Sequence, residues 1–244
     1  MKKPILVIFF HLLSFSCLFS QVEIIHVDTT LGNELIVIKT RGEAVLDNAL
    51  PTRFLYAFDE YMPVKIVFKN GTTASSRINI NLITGKLLFI DRTGEVLQIS
   101  NQEEIRLFYE SGNTWVPAEN TYGRIIYEKE GIAVICIVKT EISNYQIETA
   151  FGGKSNTSSA QSLLSITTGN ISHPIIPVGE FTFKIKRLYY ILKGGRRYFS
   201  NTTSLKKLFS EKKKKINNFL KVNKINLQNE TDLLKVLDLL LERV

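Results

Sequence analysis

From residue 22 to about residue 200 the chain alternates apolar and polar positions in short runs punctuated by turn signals. Residues Arg77 to Asn81, RININ, repeat with period two, as a half-buried strand requires. The run Val64 to Phe68, VKIVF, is followed by Asn70-Gly71, a strong hairpin signal because both residues tolerate positive φ. Thr84-Gly85 then turns the chain into a strand over Lys86–Ile90, and Arg92-Thr93-Gly94 turns it again into one over Glu95–Ile99. The same reading predicts strands at Ile24–Val27, Glu34–Lys39, Ile105–Tyr109, Arg124–Tyr127, Ala133–Glu141 and Thr182–Tyr190, with Lys193-Gly194-Gly195 as a late hairpin turn between RLYYIL and RRYFS. Turns recurring at roughly ten-residue intervals mark an antiparallel meander. The fold class is therefore mainly β, a sandwich, half-barrel or barrel, followed by a C-terminal two-helix segment.

Residues 152–173, GGKSNTSSAQSLLSITTGNISH, interrupt the alternation and read as a mobile loop or poorly ordered insertion, with Leu163-Leu164 as a short docking patch. After Ser200 the period lengthens. Asn201 or Thr203 is placed to cap a helix that aligns Leu205, Leu208, Phe209, Ile216, Phe219 and Leu220 on one side. A second helix, roughly Glu230 to Arg243, aligns Leu233, Leu234, Leu237, Leu240 and Leu241. Both apolar stripes must be buried on each other or on the β body. Lys213, Lys214 and Lys215 fall mostly off the first stripe, while Lys212 lies along it and can extend its ammonium to water.

The first twenty residues have the layout of a cleaved export signal: Lys2 and Lys3, an apolar stretch from Ile5 to Leu13, small serines, and a cleavage position after Ser20. A retained anchor is the weaker reading because the apolar run is short for a bilayer. A lipidated Cys17 is weaker too, since Phe15 stands where a small residue belongs. Domain organisation follows as residues 1–20 signal peptide, 21–200 β-rich domain, and 201–244 a basic amphipathic helical hairpin packed on or beside it. The expected location is exported: periplasmic, outer-membrane-associated or secreted, with no transmembrane span after cleavage. Cys136 is then the sole remaining cysteine, and its setting in GIAVICIVKT marks a packed core thiol rather than a nucleophile.

Charge divides the chain. Residues 21–183 hold 13 Lys and Arg against 18 Asp and Glu, a net of −5, whereas residues 184–244 hold 16 against 5, a net of +11. A basic end on a mildly acidic body faces something the body does not. Arg196, Arg197 and the run Lys212, Lys213, Lys214 and Lys215 are the candidate contact for an anionic envelope component, whether lipid headgroup, acidic glycan or protein. The bland alternative for the run is a solvated helix face. In residues 184–199 cations alternate with Tyr189, Tyr190, Tyr198 and Phe199, a pattern suited to base stacking. A hairpin burying its aromatics explains it equally, and export disfavours nucleic acid.

Catalytic signals are weak. His26 and His173 lie far apart with no metal-ligand spacing, so no metal or other cofactor is expected. FGGKS, residues 151–155, lacks the upstream glycine of a phosphate loop, with Glu148 in its place. No G-x-S-x-G elbow occurs. The acidic pairs Asp59-Glu60 and Glu103-Glu104 are adjacent, so in strands they point apart. Asn70, Asn156, Asn170, Asn201 and Asn229 begin N-x-Ser/Thr triplets, which matter only in a host that N-glycosylates.

Within residues 66–107, the stretch IVFKNGTTASSRININLITGKLLFIDRTGEVLQI contains a strand leading to Asn-Gly, an N-L-x-x-G-x-L-x-F-I hairpin and then Gly-x-x-Leu. Later, YYILKGGRRYFSNTTSLKKLFSEKKKKINNFLKVNKI runs an aromatic hairpin into a Lys-rich helix. In both stretches the chain resembles a group of exported, uncharacterised β-rich proteins of Bacteroidetes-type bacteria. The resemblance implies a β-rich envelope protein and brings no activity, cofactor or catalytic residue. The favoured expectation is a non-catalytic envelope interaction module with a basic C-terminal contact surface. The alternative is a carrier holding a lipid or glycan inside the β body, and the third a glycan-cleaving hydrolase with dispersed acids.

Overall fold

The computed structural model describes residues 22–28, 35–40, 44–45, 50–148, 154–156, 164–168, 171–176 and 179–242. The export signal expected over residues 1–20 lies outside them. In chain order the strands begin with β1 (Val22–Asp28), β2 (Leu35–Thr40) and β3 (Ala44–Val45), then a single helical turn α1 (Thr52–Leu55). There follow β4 (Met62–Phe68), β5 (Thr73–Ile80), β6 (Leu87–Ile90), β7 (Val96–Gln98), β8 (Ile105–Glu110), β9 (Asn113–Ala118) and β10 (Thr121–Lys129). Next come the long β11 (Ile132–Glu148), short β12 (Lys154–Asn156), β13 (Leu164–Thr168) and β14 (Ile171–Ile176), the long β15 (Gly179–Lys193), and β16 (Arg196–Phe199). Three helices end the chain: α2 (Thr202–Leu208), α3 (Lys213–Val222) and α4 (Glu230–Leu241).

The strands form one large antiparallel sheet in the order β1-β2-β15-β11-β10-β9-β8-β4-β5-β6-β7, with β12 added to β11 and β16 to β15. A second, three-stranded sheet runs β13-β14-β3. The expected antiparallel meander is thus realised from β4 to β11, interrupted where β4 pairs β8. Residues 152–173, read as an irregular loop, contribute β12, β13 and part of β14 instead. Leu164-Ser165-Ile166 supplies the apolar-polar alternation that the Ser- and Thr-rich composition hid, and β14 pairs with it from Ile171.

One face of the large sheet carries most of the core. Trp115, Arg124, Cys136 and Tyr189 are register partners across β9, β10, β11 and β15, so their side chains share that face. At one end of β11 and β15, Ile132, Val134, Cys136, Tyr189 and Ile191 pack against Leu205, Phe209, Ile216, Leu233, Val236, Leu237 and Leu240 from the helices. At the other end Ile36, Ile38, Phe181, Phe183 and Ile185 pack against Phe54 and Leu55 of α1. Across β4 to β9 the same face holds Val64, Ile66, Ile78, Ile80, Leu87, Ile105 and an aromatic group. In that group Trp115 stacks on Phe108 at 5.8 Å and meets Phe58 edge-on at 5.4 Å. Cys136 is the packed core thiol the sequence implied, and burial pushes its pKa up, helped by Glu230.

The sheet curls because its far turns return to β11. Thr140 of β11 donates its amide to Leu82 O at 2.9 Å and its hydroxyl to Phe54 O at 2.7 Å. The turn after β5 therefore docks on β11, with β10, β9, β8 and β4 between them in the sheet path. The sheet is thus curved enough for these distant strands to meet. Gly85 makes the approach feasible. It lies at φ +72, and a Cβ there would sit 2.3 Å from Asn120 O in the β9–β10 turn. Beneath that turn, Gly123 lets Ile135 and Ile137 bury on the opposite face with Ala118.

The helical segment differs from the two helices expected. The first breaks at Phe209, whose φ of −126 and ψ of 61 end α2, and a short turn over Ser210–Lys212 redirects the chain into α3. Phe209 is buried in the helix-side core, so the break serves to insert its ring. Asn201 caps α2 by accepting from Ser204 N, and Asn229 caps α4 by accepting from Asp232 N. Asn70 closes a turn by accepting from Thr72 N. Three of the five N-x-Ser/Thr triplets are thus local backbone chemistry. The second helix ends at Leu241; Arg243, where its end was expected, lies outside the described residues.

Two measurements check this packing. Gly85→Ala combines a left-handed backbone with a clash against a carbonyl, so its urea midpoint falls by the equivalent of about 2–4 kcal/mol. Gly94→Ala, at φ +89 with nothing within 4 Å, costs only about 1 kcal/mol. Equal costs would disprove the docking of the two turns. Burial raises Tyr127, Tyr189 and Tyr190 to about 12, with Asp238, Cys136 and Glu119 as their respective second causes. A raised folded pKa means the stability they contribute is complete below about pH 10 and is lost between about pH 10 and 12. Residue-resolved tyrosine NMR shows these three ionising in that window together with the loss of native circular dichroism; their ionisation in the intact fold at pH 10 would contradict the burial.

A candidate anion-contact surface

The six basic residues singled out from sequence do not act alike. Arg196 and Arg197 follow the Gly194-Gly195 turn, and strand alternation sends them to opposite faces. Arg197 pairs with Leu192 and lies over the Tyr190 ring at 5.8 Å. Tyr190 in turn donates its hydroxyl to Glu119 and packs with Ile135 and Ile137, away from the helices. Arg196 pairs with Lys193 on the helix side. There Lys193 Nζ lies 5.5 Å from the Phe209 ring centre and 3.4 Å from Leu208 O. The hairpin tip and the α2–α3 junction are therefore neighbours.

The lysine run is divided by its helix geometry. Lys212 is half-buried and donates to Leu240 O at 2.6 Å; Lys215 donates to Leu239 O at 3.1 Å. Both carbonyls belong to the last turn of α4, which has no basic residue of its own. The C-terminal end of a helix concentrates unsatisfied carbonyls and partial negative charge, and two ammonium groups from a neighbouring element answer both. The opposite end of α4 is matched by Glu230 and Asp232 in its first turn. Lys213 and Lys214 face solvent. Lys212 and Lys215 are thus structural groups first, a role that sequence spacing only hinted at for Lys212.

Around Lys213 and Lys214 the surface stays cationic. Lys207 is exposed and lies over Tyr198 at 5.6 Å, and Lys221 lies two turns beyond Lys214 on the outer side of α3. Glu211 is the acidic group at the junction. Its carboxyl is held below the usual range by a hydrogen bond from Ser210, with Lys193 and Lys212 adding to the effect. Among the described residues, no carboxylate forms an ion pair with Arg196, Lys213, Lys214 or Lys221.

Elsewhere some cations are matched. Lys139 and Lys186 both meet Glu141, the former at 2.9 Å; Lys129 meets Asp238 at 3.8 Å, and Arg77 meets Glu60 at 3.9 Å. Exposed pairs of this kind contribute little stability, but they do neutralise the local field. Lys193, Lys207 and Lys221 were missed from sequence because their joint position depends on the helix break at Phe209.

The competing site, the interior of the β curl, is occupied in this region by protein. Phe58, Phe108, Trp115 and Tyr122 fill it with rings at 5.4–5.8 Å from one another. An open groove of about 440 Å³ lies instead across β4 and β5, lined by Pro63, Val64, Lys65, Ser75, Ser76 and Arg77. Comparison with protein-family models, with curated proteins and with solved structures finds no match to this chain.

The two classes of lysine separate in a stability measurement. Lys212→Met keeps the apolar stem but removes the donor to Leu240 O, and lowers unfolding free energy by about 1 kcal/mol. Lys214→Met changes it by less than about 0.5 kcal/mol. A neutral Lys212→Met would show that its contact with α4 contributes nothing.

Proposed function

We propose that this chain is an exported, non-catalytic interaction module of the cell envelope whose basic C-terminal surface contacts a polyanion. The observation that carries the reading is the uneven charge, a net of +11 over residues 184–244 against −5 over residues 21–183. Within that basic end Arg196, Lys213, Lys214 and Lys221 are exposed and form no ion pair with a carboxylate of the described residues. Like charges held close on a folded scaffold cost stability through self-repulsion, and an anionic partner relieves that cost. Export rests on the Lys2-Lys3, apolar and small-residue layout of the first twenty residues, and the envelope setting on the family resemblance.

The buried and half-buried phenols and the thiol are set for packing. Tyr122, Tyr127, Tyr189 and Tyr190 all have raised pKa values, and Cys136 is raised too, so each is held in its protonated form. Activated nucleophiles and bases show the reverse direction for a thiol or phenol.

Fractionation of producing cells tests the reading directly. The protein sediments with the envelope at low salt and is released by high salt, because exposed charge contacts are screened. The quadruple variant R196Q/K213Q/K214Q/K221Q stays in the soluble fraction with an unchanged thermal midpoint. A wild-type protein indifferent to salt, or a variant that still sediments fully, would overturn the proposal.

A further inference from the structure

We propose that the polyanion is the headgroup layer of an anionic lipid bilayer, and that the protein meets it with the β15–β16 hairpin tip and the outer side of α3. This rests on the anion-contact reading above and narrows it. Charge, shape and the state of the nearby aromatics each point the same way.

The patch is dominated by lysines, Lys193, Lys207, Lys213, Lys214 and Lys221, with Arg196 on the same side and Arg197 on the other face of the hairpin. Lysine is a hydrated point charge on a flexible stem, whereas fixed, bidentate recognition of a carboxylate or phosphate favours arginine. A fluid array of phosphates asks for the former. The cations are also spread over an exposed turn and a helix flank, and an open groove among the described residues lies elsewhere, on β4 and β5. A chain-like glycan or single-stranded nucleic acid is held by a groove with aromatic platforms on which rings stack. Three of the rings here are already faced, Tyr198 by Lys207, Phe209 by Lys193 and Tyr190 by Arg197, while Phe199 meets Tyr190 edge-on at 5.3 Å.

The contact is peripheral. Ile216 is buried against the body, with Phe219 and Leu220 packed beside it, so the apolar side of α3 is not available for insertion. Val222, 69% exposed, is the sole large apolar side chain among the described residues of α3 left facing solvent. Attraction therefore comes from anionic headgroups, fades within a Debye length and is reversed by salt.

Co-sedimentation of the folded protein with vesicles tests this, using phosphatidylcholine alone, phosphatidylcholine mixed with phosphatidylglycerol, and a soluble acidic polysaccharide as competitor. The expected result is binding only to phosphatidylglycerol-containing vesicles, lost in high salt and weakened about fivefold for each of Arg196, Lys213, Lys214 and Lys221 changed to glutamine. Lys235→Gln, whose partner is Asp232, is the control and leaves binding unchanged. Equal binding to neutral vesicles would overturn the inference. So would stronger retention by the polysaccharide than by vesicles of the same charge concentration, although the anion-contact reading would then stand. Binding to neither probe would overturn both.

Discussion

The pairing of β11 with β15 is the constraint on which the other elements depend. Fourteen registered residue pairs join these strands from Ile132 opposite Lys193 to Ile147 opposite Gly179, with one irregularity after Ser143. The pair is long enough to present two separate apolar sites on one face. The Ile132, Val134 and Cys136 end receives the C-terminal helices, and the end bearing Phe181, Phe183 and Ile185 receives α1. Val138 packs against both clusters, so the two cores are continuous through it. Thr140, between them, donates its amide to Leu82 O of the returning turn and its hydroxyl to Phe54 O. A one-residue slip in this ladder would turn Val134 and Cys136 outward and Ile135 and Ile137 inward, exchanging the faces that the helices and Gly123 each require.

The C-terminal helices are held to this spine by polar ties as well as by apolar area. Ser200, fully buried at the strand-to-helix junction, donates to Leu227 O at 2.8 Å, and its own carbonyl accepts from Gln228 Nε2 at 2.6 Å. Tyr127 donates to Asp238 at 2.9 Å from the β body. These bonds satisfy groups that burial would otherwise leave costly, and they fix the register of α4 against β10. With α4 so placed, its carbonyl end falls where Lys212 and Lys215 reach it. The lysine run thus serves two ends: its first and last members close a helix terminus, and the pair between them faces outward. Structural need sets the position of the run and leaves its surplus charge on the surface.

Three hairpin turns place non-glycine residues at positive φ, namely Ser111, Glu119 and Glu130, each a strained choice for its position. Glu119 has a visible return: its carboxylate accepts the Tyr190 hydroxyl and anchors the β9–β10 turn over β15. That anchor also supports Asn120, against which Gly85 docks. Curling of the sheet is therefore a chain of specific contacts, from Tyr190 through Glu119 and Asn120 to Gly85, and does not follow from strand twist alone.

Much of this architecture was legible in the residues themselves. Period-two alternation with Asn70-Gly71, Thr84-Gly85 and Gly194-Gly195 located the hairpins, because turn geometry and strand faces are local properties. The two apolar stripes after Ser200 announced helices that needed a partner, and the uneven charge announced a basic end. What sequence could not show was which groups meet. The strands within residues 152–173 are weak by composition and exist through pairing. Cys136 lies beside Tyr189, and Lys193 beside Phe209, only because β15 returns along β11. The helix break at Phe209 follows from a core site waiting for its ring. The fate of each lysine, cap or surface, was settled by where the end of α4 comes to rest. Local pattern decided the elements; long-range packing, through register and burial, decided their company.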